Sequence, residues 1–143
     1  MPTSPLHACH CFAARQAARH VTRIYDRHLG AAGVTATQFS ILVVIHSGSD
    51  VTMRTLADAL VMDRTTLLRA LKPLQEQALV ASGNHGDDPR QFVFTLTPAG
   101  RRLVKRAAPL WENAQREFEQ SLGKTRTRAM RTHLLEMTRG ASS

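Results

Sequence analysis

Five polar residues between Asp63 and Leu74 have side chains that suit the grooves of duplex DNA. Leu67 and Leu71 recur with Leu74 at helical spacing and predict a buried helix face, so the polar residues lie opposite them. An arginine can donate two hydrogen bonds to O6 and N7 of guanine, and a threonine can contact a base edge or the thymine methyl group. The predicted major-groove residues are Arg64, Thr65, Thr66, Arg69 and Lys72. The alternative is the solvated polar face of an ordinary amphipathic helix.

A β-hairpin is expected directly after this helix. Residues 79–82 predict one strand, and residues 83–89 carry a dense turn signal. Phe92, Phe94 and Leu96 alternate with polar or smaller residues, which predicts a second strand with these three side chains facing a core. The hairpin therefore has the position of a wing beside the groove-reading helix.

Arg90 lies at the predicted hairpin tip. An arginine at such a tip can enter a narrow A·T minor groove, where negative potential is concentrated. Asp87 and Asp88 precede it and are expected to hold the guanidinium by a charge-assisted hydrogen bond. The alternative is a surface turn with a local ion pair.

Helix-start signals place three helices in front of the hairpin. Thr35 and Gln38 have the spacing of a capping box, in which each side chain accepts a hydrogen bond from a backbone N–H of the other residue. Thr52 and Asp63 are the expected N-caps of the next two helices. Three helices followed by a hairpin predict a winged helix-turn-helix domain, in which the third helix enters the major groove.

Amphipathic helices flank this domain on both sides, and their long apolar faces must be buried. Packing against the same helices of a second copy is the simplest solution, so we expect a homodimer with two-fold symmetry. Two recognition helices would then meet half-sites about 34 Å apart. The fold class is mainly α with a small β-hairpin wing. The predicted organisation is a flexible tail at residues 1–8, dimerisation helices at 9–33 and 98–143, and the winged helix-turn-helix domain at 34–97.

Composition agrees with a small DNA-binding protein. The chain has 143 residues with 19 Lys+Arg and 11 Asp+Glu, a net charge of +8, which favours a polyanionic partner. The longest aliphatic run, from Ile41 to Ile45, is far shorter than a membrane span, and the N-terminus does not have the pattern of a secretion signal. Cys9 and Cys11 are too close together in the sequence for a disulfide that would cross-link the fold. Together these features favour a protein of the reducing cytoplasm with no membrane partner.

Four segments resemble the multiple-antibiotic-resistance regulator (MarR) family. They are the recognition-helix run at 63–74, Asp88-Pro-Arg90 of the wing, Leu-Thr-Pro-Ala-Gly at 96–100 and the first-helix run at 13–26. The resemblance implies a dimeric winged helix-turn-helix repressor of transcription, relieved by a small phenolic or aromatic ligand or by oxidation. It also implies major-groove contacts from the recognition helix, minor-groove entry by Arg90 and an approach of Arg54 to the DNA backbone.

Cys11 resembles the reactive cysteine of the peroxide-sensing branch of that family, where tyrosines hold the thiol. Tyr25 matches one of these tyrosines, but about 21 Å of helix separates it from Cys11, so contact would have to form between subunits. Arg15 departs from the branch because a second tyrosine is expected there. Its positive charge could still favour the thiolate. The alternative is that Cys11 is a small residue buried at the dimer interface.

A ligand pocket between the predicted helix at residues 9–29, the helix that begins at Thr35 and the long helix that begins at Pro98 is the other predicted switch. Its candidates are Cys11, Arg15, Phe39 and Trp111, since the arginine could pair with a carboxylate while the rings flank an aromatic effector. The alternative for both rings is simple core packing. Histidines and cysteines near the N-terminus are too cramped for a metal site, and we expect no cofactor.

Enzyme motifs do not occur in the sequence: it has no glycine-rich phosphate loop, G-x-S-x-G or H-E-x-x-H. The sequence therefore predicts a regulator rather than an enzyme. A sequence-indifferent architectural DNA protein is the remaining alternative, and it would bind all duplexes alike with strong salt dependence.

Overall fold

A computed structural model describes the backbone of residues 4–85 and 88–140, and the side chains of all of these except residues 85 and 88–91. Six α-helices and three strands follow one another in this part of the chain. Short 3₁₀-helices at Pro5–Ala8 and Gly30–Ala32 flank the first α-helix. The elements are α1 (His10–Leu29), α2 (Ala36–Ser47), β1 (Val51–Thr52), α3 (Met53–Leu60), α4 (Arg64–Glu76), β2 (Val80–His85), β3 (Asp88–Leu96), α5 (Pro98–Leu122) and α6 (Lys124–Thr138).

Local capping chemistry sets where most helices begin. Thr35 and Gln38 form the expected capping box at α2, with hydrogen bonds of 3.1 and 3.0 Å. Thr52 accepts from the N–H of Thr55 at the start of α3. Thr97 accepts from the N–H of Gly100 at the start of α5, where Pro98 takes the first helical position at no cost in hydrogen bonds.

The strands form one antiparallel sheet in the order β1-β3-β2. Val51 pairs with Phe94, and Val80 pairs with Leu96, so β3 is the central strand. The sheet therefore ties the start of α3 and the end of α4 to the same strand. This arrangement, three helices with a hairpin behind them, is the predicted winged helix-turn-helix.

Two apolar clusters hold the molecule together. The larger lies under the winged helix-turn-helix and includes the fully buried leucines of α4, with Leu103 and Ala107 from the first half of α5. The smaller joins Ile24 of α1 to Ala114 and Phe118 of α5, with Met130 of α6 packed against it. The long helix α5 thus connects the DNA-facing part of the molecule to a helical lobe made with α1 and α6.

Three local features differ from what the sequence predicts. Residues 5–8, expected within a flexible tail, form a 3₁₀-helix capped by Ser4. Strand β2 runs through Gly83 to His85 rather than ending at Ser82, because pairing with β3 overrides the local turn signal. The two-residue strand β1 arises from a distant pairing that its own sequence does not announce.

Phe92 was expected to face the core with Phe94 and Leu96, and this prediction is wrong. Phe94 and Leu96 are buried, but Phe92 is 59% exposed. Alternation does put the three side chains on one side of β3, but the hairpin extends past the edge of the helices. Beyond Phe94 that side of the strand therefore has no core to cover.

Within the described residues, no single helix is both long and apolar enough to cross a membrane. Residues 10–32 and 36–47 reach that length and composition only when taken as a pair, and they are bent by 71° at the turn between them.

Candidate nucleic-acid interface

The start of α4 is fixed by Asp63. Its carboxylate accepts from the backbone N–H of Thr66 at 2.8 Å and from the Thr66 hydroxyl at 2.9 Å. These hydrogen bonds hold the pKa of the Asp63 carboxyl below its usual range, the backbone N–H having the larger effect. The Thr66 hydroxyl proton is thereby committed to Asp63, so this side chain would offer a base its lone pairs and methyl group.

This cap has a testable pH dependence. A carboxyl whose pKa is lowered on folding stabilises the fold above its unfolded pKa of about 3.9, and that contribution is lost as the pH falls through the lowered value. We expect the part of the acid-side fall in melting temperature that Asp63 causes to disappear in Asp63→Asn, which keeps a capping oxygen without the titration. Thermal melts of both proteins between pH 7 and pH 2.5 measure it. Parallel curves throughout would contradict the assignment.

The solvent-facing side of α4 carries the predicted residues. Leu67, Leu71 and Leu74 are buried against the larger cluster, at most 1% exposed, and they fix the rotation of the helix. All five residues of the predicted groove-reading set are exposed: Arg64, Thr65, Thr66, Arg69 and Lys72. The structure therefore presents them together on the side of α4 that faces away from the core.

Leu68 is a candidate that sequence reasoning missed. It lies one turn after Arg64 and one turn before Lys72, and it is 46% exposed in the middle of the polar face. An exposed leucine there can contact a thymine methyl group, which is the apolar feature of the major groove. The sequence contained a signal for it, because Leu68 lies outside the helical spacing of Leu67, Leu71 and Leu74 and so is not expected on the buried face.

Arg54 and Lys72 are cations at the edge of this surface with weak partners. Arg54 lies 3.8 Å from Asp58, and Lys72 lies 3.9 Å from Glu76, each across one helical turn. Their side chains are 91% and 76% exposed. Exposed pairs of this kind contribute little to stability, so both cations are free to turn towards a phosphate.

A groove between α3, α4 and the sheet brings part of the interface together. It has a volume of about 430 Å³, and its walls include Arg54, Arg64 and the exposed ring of Phe92. Phe92, whose side chain is exposed and does not face the core, thus belongs to the outward-facing surface beside α4. Arg90 lies on β3, but its side chain and those of Asp87 and Asp88 are outside the described set, so their expected ion pair stays a prediction.

The net charge of +8 does not come from this domain. Residues 34–97 hold five Lys or Arg and six Asp or Glu, a net charge of −1. DNA recognition by this domain therefore depends on how a few arginines are placed, and the excess of positive charge belongs to the segments on either side.

The predicted ligand or redox residues lie apart in a single chain. Cys11 and Arg15 are exposed near the start of α1, and Trp111 is 38% exposed on α5. Phe39 is buried in the larger cluster as part of the core. The single chain does not bring these four into one pocket, and they stay predictions.

Tyr25, in contrast, lines a cavity of about 230 Å³ between α1, α5 and α6. Its hydroxyl donates to Oε1 of Gln115. Burial raises the pKa of Tyr25, the nearby Glu119 carboxylate adds to the rise, and Arg131 opposes it. The walls are mostly apolar, with Phe118 and Met130 among them. Among the described residues, no group of three or more His, Cys, Asp or Glu could hold a metal ion.

Comparisons with known proteins agree with this architecture. The family model described as "MarR family" matches residues 32–91. The M. tuberculosis transcriptional regulator MosR, in a crystal structure with DNA, is 37% identical, with a TM-score of 0.78 over 92% of this chain and 97% of that one.

Two more distant relatives extend the comparison. The organic hydroperoxide resistance transcriptional regulator of Bacillus subtilis is 25% identical over 70% of this chain and 68% of its own. CouR from Rhodococcus jostii, bound to p-coumaroyl-CoA, shares the fold at 20% identity, with a TM-score of 0.77 over 95% of this chain and 96% of that one. From the winged helix-turn-helix architecture, the family-model match and the near full-length similarity to a known regulator, it follows that this chain belongs to the MarR family of transcriptional regulators.

Proposed function

We propose that the protein is a homodimeric repressor that binds a pseudo-palindromic operator and acts in the cytoplasm by binding rather than catalysis. The observation that carries the proposal is the exposed face of α4, where Arg64, Leu68 and Arg69 project from a helix locked by three buried leucines. A rigid helix with two arginines and one apolar contact can distinguish guanine and thymine in a major groove. MosR, the relative solved with DNA, supports the same role.

The dimer is supported by apolar surface on the helical lobe. On α6, Leu134, Leu135 and Met137 are 48%, 60% and 75% exposed. On α1, Ala14 and Ala18 are exposed on the side that also holds Cys11. A second copy of these helices would bury both faces through a two-fold interface.

Footprinting on the DNA upstream of the protein's own gene tests this proposal. We expect protection of an inverted repeat whose half-sites are about 34 Å apart, with one dimer bound per site. A random duplex of equal length at the same salt is the control. Equal affinity for both duplexes would instead favour a sequence-indifferent architectural protein.

A small aromatic or carboxylate effector is the proposed release signal. The Tyr25 cavity supports it, because it combines apolar walls with a tyrosine hydroxyl and the guanidinium of Arg131. The cavity suits a ligand with about one aromatic ring, because its volume is below the roughly 300 Å³ of the smallest pockets for drug-sized ligands. CouR, a protein of the same fold, has been solved with bound p-coumaroyl-CoA, a ligand that carries an aromatic ring.

A thiol-based hydroperoxide sensor is the second candidate. The Bacillus subtilis relative and the exposed thiol of Cys11 favour it. The thiolate sulfur would attack the hydroxyl oxygen of the hydroperoxide and the O–O bond would break. The sulfur would keep that hydroxyl group as a sulfenic acid, and the other oxygen would leave as an alkoxide that takes a proton from water to become an alcohol. In this proposal Tyr25 approaches Cys11 across the dimer interface, and Arg15 lies one turn away from Cys11 on α1.

The redox candidate predicts that cumene hydroperoxide releases the unmodified protein from its operator and that Cys11→Ser abolishes this release. Operator binding before oxidation should be unchanged, because Cys11 lies on α1, outside the winged helix-turn-helix. Fluorescence anisotropy with and without peroxide measures both, and Cys9→Ser is the matched control. If the unmodified protein stays bound to its operator in the presence of peroxide, the redox proposal is contradicted and the small-molecule effector is the remaining release signal.

A further inference from the structure

The charges of this chain are segregated. Residues 1–33 and 98–143, the segments on either side of the winged helix-turn-helix in the sequence, hold fourteen Lys or Arg and five Asp or Glu, a net charge of +9. The winged helix-turn-helix between them has a net charge of −1. A regulator whose only polyanion contact is the recognition surface does not require this distribution.

The first two turns of α6 concentrate the excess. Residues 124–131 contain four cations and no acidic residue, and all four side chains are exposed. Within the described part of the chain, none of the four has a carboxylate at ion-pair distance, whereas Arg27 of the same lobe is held by Glu117 at 2.7 Å. We call these residues the α6 basic cluster: Lys124, Arg126, Arg128 and Arg131.

The backbone adds to the positive potential of this cluster. Gly123 precedes α6 and provides no side-chain cap, unlike Thr35, Asp63 and Thr97 at other helices. The first N–H groups of α6 therefore point outward without a side-chain acceptor, and the helix dipole places further positive charge there.

The two ends of α6 differ in chemistry. The C-terminal half exposes Leu134, Leu135 and Met137, which suit the apolar interface of a second copy. The N-terminal half is basic and has only Thr127 buried. A second copy with the same excess of positive charge would be repelled by the basic half, so that half suits a partner of the opposite charge.

We propose that the α6 basic cluster binds the phosphate backbone of a second DNA segment, without sequence preference, while α4 occupies the operator. A duplex carries one negative charge per about 1.7 Å of axis and releases counterions when cations replace them. A protein already bound to DNA meets neighbouring segments of the same molecule at high effective concentration, so weak contacts suffice. This inference goes beyond the proposed function because it adds a second binding surface.

A bridging assay tests the second surface directly. Operator duplex is immobilised and saturated with the full-length protein, unbound protein is washed away, and a fluorescent random duplex is added. We expect the random duplex to be retained at 50 mM salt and released as the salt is raised, with a slope of about −0.9 for each phosphate neutralised.

Charge-neutral variants locate the contact. Lys124→Gln, Arg126→Gln and Arg128→Gln are combined, and Arg131 is kept because it also lines the Tyr25 cavity. We expect this triple variant to bind the operator normally and to retain about ten-fold less random duplex. The matched control removes the same charge from the start of α5 through Arg102→Gln, Lys105→Gln and Arg106→Gln, and should retain the duplex.

A charge-conserving variant checks the fold. Lys124→Arg with Arg126→Lys and Arg128→Lys should restore retention. The proposal is overturned if the α6 triple variant retains as much duplex as the unmodified protein, if the α5 control loses as much, or if the unmodified protein retains none. Preferential capture of phosphatidylserine vesicles by the operator-bound protein would assign the cluster to a membrane instead. If the unmodified protein bound no operator at all, the proposed function would be contradicted. Titration of the random duplex with the unmodified protein and with the α6 triple variant would then still test the α6 basic cluster.

Discussion

Replacing Arg64 and Arg69 together by alanine is expected to weaken operator binding by at least about 30-fold. Each arginine that donates two hydrogen bonds to a guanine contributes about 1–3 kcal/mol of discrimination, and about 1.4 kcal/mol corresponds to ten-fold in affinity. Both side chains are exposed on the outward side of α4, so their removal leaves the core intact. Affinity for random duplex should fall much less, because base contacts supply little of non-specific binding.

Titrations of operator and random duplex at one fixed salt concentration measure this difference. Lys72→Gln is the matched control, since Lys72 lies on the same helix and is a candidate phosphate contact. It should weaken binding to both duplexes alike and lower the salt slope by about one. Equal losses on operator and random duplex in the double arginine variant would mean that the two arginines do not read bases.

Leu67→Ala is expected to destabilise the protein by about 2–5 kcal/mol, the range for a large-to-small change in a packed core. Leu67 is 0% exposed and belongs to the larger apolar cluster. The cavity would lie directly under the first turns of α4, so the recognition helix would lose its fixed rotation. Urea unfolding followed by circular dichroism measures the loss as a change in midpoint.

Leu68→Ala is the matched control one residue along. Leu68 is 46% exposed, so we expect its removal to change the free energy of unfolding by less than about 0.5 kcal/mol. It should nevertheless weaken operator binding by about 1 kcal/mol if the leucine covers a thymine methyl group. Equal destabilisation by the two variants would show that α4 is rotated differently from this structure.

Local chemistry explains which parts of the fold are predictable from the sequence. Thr35, Thr52 and Asp63 are predicted N-caps, and each accepts a hydrogen bond from a backbone N–H three residues on. A cap depends on a few neighbouring residues, so its signal is complete within the sequence.

Features that depend on distant pairing were missed. Strand β1 exists only because Val51 meets Phe94, and β2 passes through Gly83 because β3 lies beside it. Alternation placed Phe92 on the correct side of its strand but could not show where the core ends. Leu68 differs from Leu67 only by a rotation of about 100°, which the packing of the whole helix decides.

The distribution of charge over the fold was also not predictable from the composition. A sum over the chain favours a polyanionic partner, but it does not say which elements carry the charge. That sum divides between a winged helix-turn-helix of −1 and flanking segments of +9. The predicted contact between Cys11 and Tyr25 is also hard to assess from one chain, because it would form between two copies.

The central claim is that arginines of α4 contact guanine in the major groove. A double-mutant cycle with 7-deazaguanine tests it most directly, because this base keeps its pairing but lacks the N7 acceptor. Placed at a contacted guanine of one half-site, it should weaken binding of the unmodified protein by about ten-fold and leave Arg64→Ala or Arg69→Ala nearly unaffected. If every guanine substitution weakens both arginine variants as much as it weakens the unmodified protein, the arginines of α4 do not contact guanine N7.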